Sequence, residues 1–241
     1  MRLAILTGGS RGLGLSLCSR LQERGCTLIE FSRSAPYVFS VKADLSNPAG
    51  FDTLVRERLA MIDTARIEEI LVIANAGTLD ATATAGAQAW PTVEQDMAVN
   101  LLSPMAFFNQ VVARFAPLAC PKTLVGISSG AALRGIAGWS PYCAAKAGLE
   151  GFIRALGAEQ AQQAHPFMAI SIDPGVMDTE MQAFIRSRSA NDFPDVQRFR
   201  QRQQDGELAT PERIADAVLR IAMLPGLVQG ARYVAREHLV P

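Results

Sequence analysis

Short aliphatic runs alternate with longer helical patterns along almost the whole of this chain, and few folds accept that order. Leu3–Thr7, Thr27–Ser32, Tyr37–Lys42, Ile70–Ala74, Thr123–Ser128 and Ala169–Asp173 read as strands, and Ala231–Ala235 as a last short one. Gly12–Arg24, Pro48–Ile62, Val93–Phe115, Pro141–Gln163 and Thr210–Leu224 read as the helices between them. Within Pro48–Ile62, Phe51, Leu54, Val55, Leu59 and Ile62 recur at helical spacing. Pro104 interrupts the Val93–Phe115 pattern. Thr210 and Pro211 supply an N-cap and a first-turn proline. Such alternation implies a parallel sheet covered by helices on both faces.

The 241 residues carry no internal linker and no low-complexity segment, so a single domain over 1–241 is expected. With 49% hydrophobic residues, a large core is available. The expected fold class is α/β: a doubly wound Rossmann domain of about seven parallel strands in the order 3-2-1-4-5-6-7. One stretch breaks the rhythm. Residues 178–208 are long, polar and arginine-rich, and follow strand six. Insertions there sit above the carboxyl edge of the sheet, where ligands bind, so a substrate lid is expected.

Charge and rare residues narrow the chemistry. Formal net charge is zero and the pI is about 6.7, which argues against a nucleic-acid partner or an anionic membrane surface. The apolar runs suit buried strands, not membrane spans. The first strand begins almost at Met1, leaving no room for a signal peptide, so a cytoplasmic location is expected. Cys18, Cys26, Cys120 and Cys143 lack metal-ligand spacing and read as free thiols. His165 and His238 are the only histidines, which argues against a histidine zinc site or a Ser-His-Asp triad; no metal is expected.

Thr7-Gly8-Gly9-Ser10-Arg11-Gly12-Leu13-Gly14 follows the first strand and opens a helix. Glycines there allow a tight turn and close approach to a pyrophosphate, and the helix N-terminus offers free amides. A dinucleotide site for NAD usually places an acid about twenty residues later, on the ribose. Ser32 and Arg33 occupy that place here, with Glu30 inside the strand. A serine and an arginine suit a 2′-phosphate, and Arg11 adds a cation from the loop, so NADP(H) is the expected cofactor.

Tyr142 and Lys146 stand four apart, on one face of a helix, thirteen residues after Ser129. The chain has only three tyrosines and three lysines, which makes the spacing informative. A phenol, an ammonium and a hydroxyl held together can pass a proton to a carbonyl oxygen. Lys146 is expected to favour the Tyr142 phenolate and lower its pKa from about 10.

Together these residues resemble the classical short-chain dehydrogenase/reductase family over essentially the whole chain. The markers run in family order: Thr7–Gly14, Asp44-Leu45, Asn75-Ala76-Gly77, Asn100, Ser129, Tyr142 with Lys146, and Pro174-Gly175 followed by Thr179. The resemblance implies that Asp44 and Leu45 contact adenine and that Asn75, Ala76 and Gly77 line the cofactor. It implies that Lys146 also binds the nicotinamide ribose, and that Thr179, with backbone near Val176 and Met177, holds the carboxamide. It makes Asn100 the holder of a water that links Lys146 to solvent. It also implies pairing of the two long helices across a two-fold axis, as a homodimer or homotetramer, with Phe107, Phe108, Gly148, Gly151, Phe152 and Ala155 available for the contact.

Residues 178–186, Asn191-Asp192-Phe193, Asp205-Gly206-Glu207-Leu208, Ser129–Ala132 and Gly138–Cys143 look like the sepiapterin reductase and benzil reductase group. The implied reaction is NADPH-dependent reduction of a small-molecule ketone or vicinal dicarbonyl. Tyr142 is then the general acid and Ser129 the donor to the developing alkoxide. Met181, Phe184, Ile185, Phe193 and Phe199 offer either an apolar lid or its packing on the body, with Trp139 at the pocket wall. Arg186, Arg188, Arg198, Arg200 and Arg202 form a basic cluster diluted by Asp192 and Asp195, of which Arg198–Arg202 reads as a solvated face. Were they to hold an anion, a 3-oxoacyl thioester reductase would be the competing enzyme. A non-catalytic NADP(H) sensor is the distant alternative.

Overall fold

The computed structural model describes residues 1–240. Its single sheet has seven parallel strands: β1 (Arg2–Thr7), β2 (Thr27–Ser32), β3 (Ser40–Lys42), β4 (Glu69–Ala74), β5 (Lys122–Ile127), β6 (Met168–Asp173) and β7 (Arg232–Val234). They lie in the order β3-β2-β1-β4-β5-β6-β7, the order expected of the doubly wound fold class.

Each central strand is buried on both faces, so its two side-chain sets enter different cores. In β1, Leu3 and Ile5 join Phe31, Phe107 and Phe108 on one side. Ala4 and Leu6 join Leu17, Ile214 and Val218 on the other. The first core is covered by α2 (Pro48–Ala60), α4 (Ser103–Phe115) and α5 (Ser140–Gln160); the second by α1 (Gly12–Glu23) and α8 (Pro211–Ala222). Phe107 and Phe108 are fully buried within the chain's own core, so neither is available to a second copy.

The long central pattern is built from α3 (Trp90–Met97), a π turn at Ala98–Leu102, and α4. The interruption therefore falls ahead of Pro104, not at it. Proline lacks the N–H that would bond the carbonyl of Asn100 and its ring crowds that carbonyl; the wider turn relieves both. The turn also presents Asn100 to the interior. Strand three is shorter than the sequence suggested. Tyr37–Phe39 form a turn after Ala35, whose φ of 44° redirects the chain, and Ser40 N–H closes on Tyr37 C=O at 3.0 Å.

Residues 178–208 are not an open loop. They contain α6 (Glu180–Ser187) and α7 (Val196–Gln204), packed on a third apolar cluster with Trp139, Tyr142, Ile185, Phe193 and Phe199 at its heart. Trp139 and Phe193 stack with centroids 4.7 Å apart, and Phe199 leans on both at 5.3 Å. Their arginines act as internal straps. Arg200 donates to the carbonyls of Arg186 (3.0 Å) and Arg188 (3.3 Å), Arg186 pairs with Asp178 (3.6 Å) and Arg188 with Asp192 (3.5 Å). Among the described residues, no helix is long and apolar enough to cross a membrane.

Candidate active site

The carboxyl ends of β1, β4, β5 and β6 open onto one cleft of about 990 Å³. The glycine turn forms its floor. Gly8 adopts φ +73°, and a Cβ on Gly14 would stand 1.9 Å from the Gly8 carbonyl oxygen, so no side chain fits there. The Asn75 amide ties the turn to β4 by donating to the carbonyls of Thr7 (3.2 Å) and Gly8 (2.9 Å). Thr7 Oγ1 accepts the N–H groups of Asn75 and Ala76, each at 3.1 Å. Glu30 is fully buried and accepts from Gly9 N–H (2.7 Å), Ser32 Oγ (3.0 Å) and Ser40 Oγ (2.6 Å). Nothing in the sequence marked that carboxylate as the clamp of the turn, because its partners come from three separate segments.

Ser10, Arg11, Gly12, Leu13, Ser32, Arg33, Asp44, Leu45, Ala76, Gly77, Pro174, Gly175, Met177 and Thr179 line this cleft with Gly8, Gly14 and Asn75. Arg33 is exposed at its lip. Asp44 accepts from the Ser46 amide (2.9 Å) and hydroxyl (2.7 Å), bonds that hold its carboxyl below the usual carboxylate range. Thr179 caps α6 by accepting from Gln182 N–H at 3.4 Å. Arg11 also lines the cleft, where its exposed guanidinium pairs with the equally exposed Glu180 of α6.

Ser129, Tyr142 and Lys146 line the opposite wall. Ser129 follows β5 and caps a short 3-10 turn, Gly130–Ala132, accepting from Ala131 N–H at 3.2 Å. Tyr142 and Lys146 project from the first turns of α5, which begins with Ser140 and Pro141. Both are buried, Tyr142 8% and Lys146 4% exposed. The expected pKa effect on the phenol is reversed. Burial pushes Tyr142 up to about 12, although the Ser129 hydroxyl pulls the other way; the same burial brings Lys146 down to about 8, opposed by Asp173. The lysine does not grip the phenol. Its Nζ lies 5.7 Å from the ring centroid and donates to Ile127 C=O at 2.8 Å. Loss of hydration therefore outweighs the pairing that the four-residue spacing suggested.

Two expected residues lie outside the cleft lining. Asn100 is fully buried behind it, donating to the carbonyls of Thr78 (2.9 Å) and Asp96 (2.8 Å) and accepting from Thr78 N–H (3.1 Å). A Cβ on Gly77 would stand 3.1 Å from Asn100 Oδ1 and 3.9 Å from Lys146 Nζ, so a bare glycine separates the two. Phe184 points away, with the Arg188 guanidinium 5.2 Å from its ring centroid, because α6 turns its buried face toward the cluster through Ile185. Trp139, Met181 and Ile185 do line the cleft, joined by Gln182 and Phe199. Phe193 is buried behind Trp139.

Comparison with known proteins agrees with this geometry. The short chain dehydrogenase family matches residues 2–190. A benzil reductase ((S)-benzoin forming) of Bacillus subtilis is 37% identical over 244 residues, covering 99% of this chain and all of that protein. Sepiapterin reductase of Bos taurus is 27% identical, covering 98% of this chain and 93% of its own. The crystal structure of the KRED1-Pglu enzyme superposes with a TM-score of 0.82 at 28% identity, over 97% of this chain and 100% of that one. The sheet order, the cleft at its carboxyl edge and these matches make the chain a member of the short chain dehydrogenase family, a carbonyl reductase acting on the alcohol–carbonyl pair.

Proposed function

We propose that the protein reduces ketones or vicinal dicarbonyls with NADPH, Tyr142 being the proton donor. The observation that carries this reading is the meeting of Ser129, Tyr142 and Lys146 across one cleft from the glycine turn. The cleft fits the cofactor. The crowding at Gly14 leaves backbone, not side chain, facing a pyrophosphate, and the N-terminus of α1 lies beside it. Glu30 is spent on the turn and so does not offer an acceptor to a ribose hydroxyl, while the exposed Arg33 suits a 2′-phosphate. Ser32 and Arg33 would hold that phosphate, Asp44 and Leu45 the adenine, Asn75–Gly77 the ribose side, and Pro174, Gly175, Met177 and Thr179 the nicotinamide amide.

When bound, NADPH supplies the hydride that reaches the carbonyl carbon. Tyr142, protonated across the physiological range, gives its proton to the carbonyl oxygen. Ser129 donates a hydrogen bond to the same oxygen as negative charge gathers there. The Lys146 ammonium stabilises the tyrosinate left behind and holds the ribose. Asn100 braces this wall through Thr78, and a water held beside it would link Lys146 to solvent and pass the proton. Trp139, Met181 and Ile185 supply the apolar wall against which a substrate body rests.

A panel of benzil, sepiapterin and an acetoacetyl thioester, each with NADPH and with NADH, tests the reading. Diketone or pterin turnover with a clear NADPH preference is the expected result. Preference for NADH overturns the cofactor assignment, and preference for the thioester overturns the substrate class. Tight NADPH binding with no turnover on any carbonyl points to a sensor instead.

A second copy of the chain is the expected partner. The outward face of α5 carries exposed Ala144, Ala147 and Ala155 with half-exposed Gly148 and Gly151, a surface on which another helix can approach closely. Light scattering should give twice or four times the 25.9 kDa chain mass; a monomer at micromolar concentration would remove this pairing.

A further inference from the structure

Three cleft residues have no part in the nucleotide reading. Arg134, Arg202 and Arg236 come from three separate places, namely the segment after the Ser129 turn, α7, and the 3-10 turn that follows β7, yet all line the cleft, and the charges of Arg134 and Arg236 act on Arg202. The chain as a whole has no net charge, so this concentration of guanidinium groups is local. Of the five arginines at 186–202, only Arg202 lines the cleft: Arg186, Arg188 and Arg200 strap α6 and α7 together, and Arg198 is exposed outside the lining though near enough for its charge to act on Arg202.

Four acidic residues of this region, Asp173, Asp178, Glu180 and Glu207, are largely committed to other partners. Asp173 takes Arg232 at 2.6 Å and the Gly175 amide at 2.9 Å. Glu180 is held by Arg11 and Asp178 by Arg186. Glu207 offers Arg202 only a 3.7 Å contact, and Arg236 donates to its backbone carbonyl, not its carboxylate, at 3.0 Å. Among the described residues, neither Arg134 nor Arg236 has a carboxylate in salt-bridge reach. The like charges are felt. Burial first, and then the charges of Arg198, Arg134 and Arg236, push the Arg202 guanidinium below its ordinary value against the pull of Glu207. An anion arriving between these side chains relieves that repulsion and meets fork-shaped donors suited to carboxylate or phosphate. The Arg202 guanidinium lies 5.7 Å from the centroid of Phe199, which itself packs on Trp139, and Trp139 meets Tyr142 edge-on at 5.8 Å. An apolar wall therefore runs from the proton donor to the arginines.

We infer that the substrate is a carbonyl compound with an apolar body and an anionic tail, carboxylate or phosphate, received by Arg134, Arg202 and Arg236. This rests on the reductase reading above and deepens it. The test compares keto acids with their methyl esters, and keto phosphate monoesters with the corresponding alcohols, at several chain lengths with saturating NADPH. At low ionic strength the acid or phosphate should exceed its neutral counterpart in kcat/KM by roughly tenfold or more, mostly through KM. Arg202→Gln and Arg134→Gln should each shrink that ratio, and salt should shrink it in the wild type. Because Arg202 also covers Phe199, the exposed Arg134→Gln separates loss of charge from disturbance of the lid. Whichever anion shows the larger ratio identifies the tail. Neutral partners reduced as well as the anions throughout, or a ratio unmoved in both variants, overturns the inference while leaving the reductase reading intact. Reduction of none of these compounds nor of benzil, with NADPH bound, overturns both.

Discussion

Tyr142→Phe should lower kcat for carbonyl reduction by roughly 10²–10⁴-fold, the range for loss of a positioned general acid, while the Kd for NADPH changes little. The substitution removes one oxygen from a residue already 8% exposed, and its ring packing against Trp139 is kept, so folding is spared. Single-turnover measurement with prebound NADPH separates the chemical step from binding; a variant turning over at the wild-type rate would falsify the role. The pH profile is the other half of the result. Tyr142 keeps its proton to about 12, so the acid itself sets no limit near neutrality. Lys146, with its pKa lowered by burial to about 8, carries its ammonium below that pH and loses it above. Since kcat/KM reports groups of the free enzyme, reduction should slow as pH rises through about 8, when the developing tyrosinate loses its counter-charge. A rate flat to pH 10 would take Lys146 out of that role.

Gly14→Ala should be nearly as damaging, by another route. The added methyl would stand 1.9 Å from the Gly8 carbonyl oxygen and 2.6 Å from Asn75 Nδ2. Neither neighbour can yield cheaply, since Gly8 N–H is bonded to Phe31 C=O at 2.8 Å and Asn75 bridges two carbonyls. The turn must open, at a cost of about 3 kcal/mol or more, at or beyond the usual range for overpacking. Denaturant unfolding should show the lost stability, and fluorescence titration an NADPH affinity reduced by at least roughly a hundredfold, because the amides of the turn no longer converge. Unchanged affinity in the folded variant would mean that the cofactor does not approach the backbone here.

The two variants also separate what was legible from what was not. Gly14 and Tyr142 announce themselves because their chemistry depends on neighbours close in sequence: a strand that ends in glycines before a helix, and two side chains on one helical face. Glu30 was unreadable as the clamp of the turn, since its partners Gly9 and Ser40 are brought together only by sheet pairing. Phe184 and Ile185 are adjacent and both apolar, yet one faces out and one lines the cleft, a choice made by how α6 rolls onto Trp139 and Phe193. The arginines of 186–202 read as one charged run and resolve into straps, a solvated side chain and a single cleft residue.

Hydrophobic periodicity determined the strands and the helices that cover them, because a strand buried on both faces can be written in few ways; the order 3-2-1-4-5-6-7 came from the doubly wound fold class and not from the pattern itself. Local motifs marked the glycine turn and the Tyr142–Lys146 pair, because spacing along one loop or one helix is enough to define each, while their meeting with Ser129 in one cleft is tertiary. Only the tertiary structure decided the direction in which Tyr142 and Lys146 shift, since desolvation depends on everything packed around a group and not on its neighbours in sequence. It alone decided that Arg11 meets Glu180 of α6, and that Arg134, Arg202 and Arg236, as many as 102 residues apart in the chain, line the same cleft.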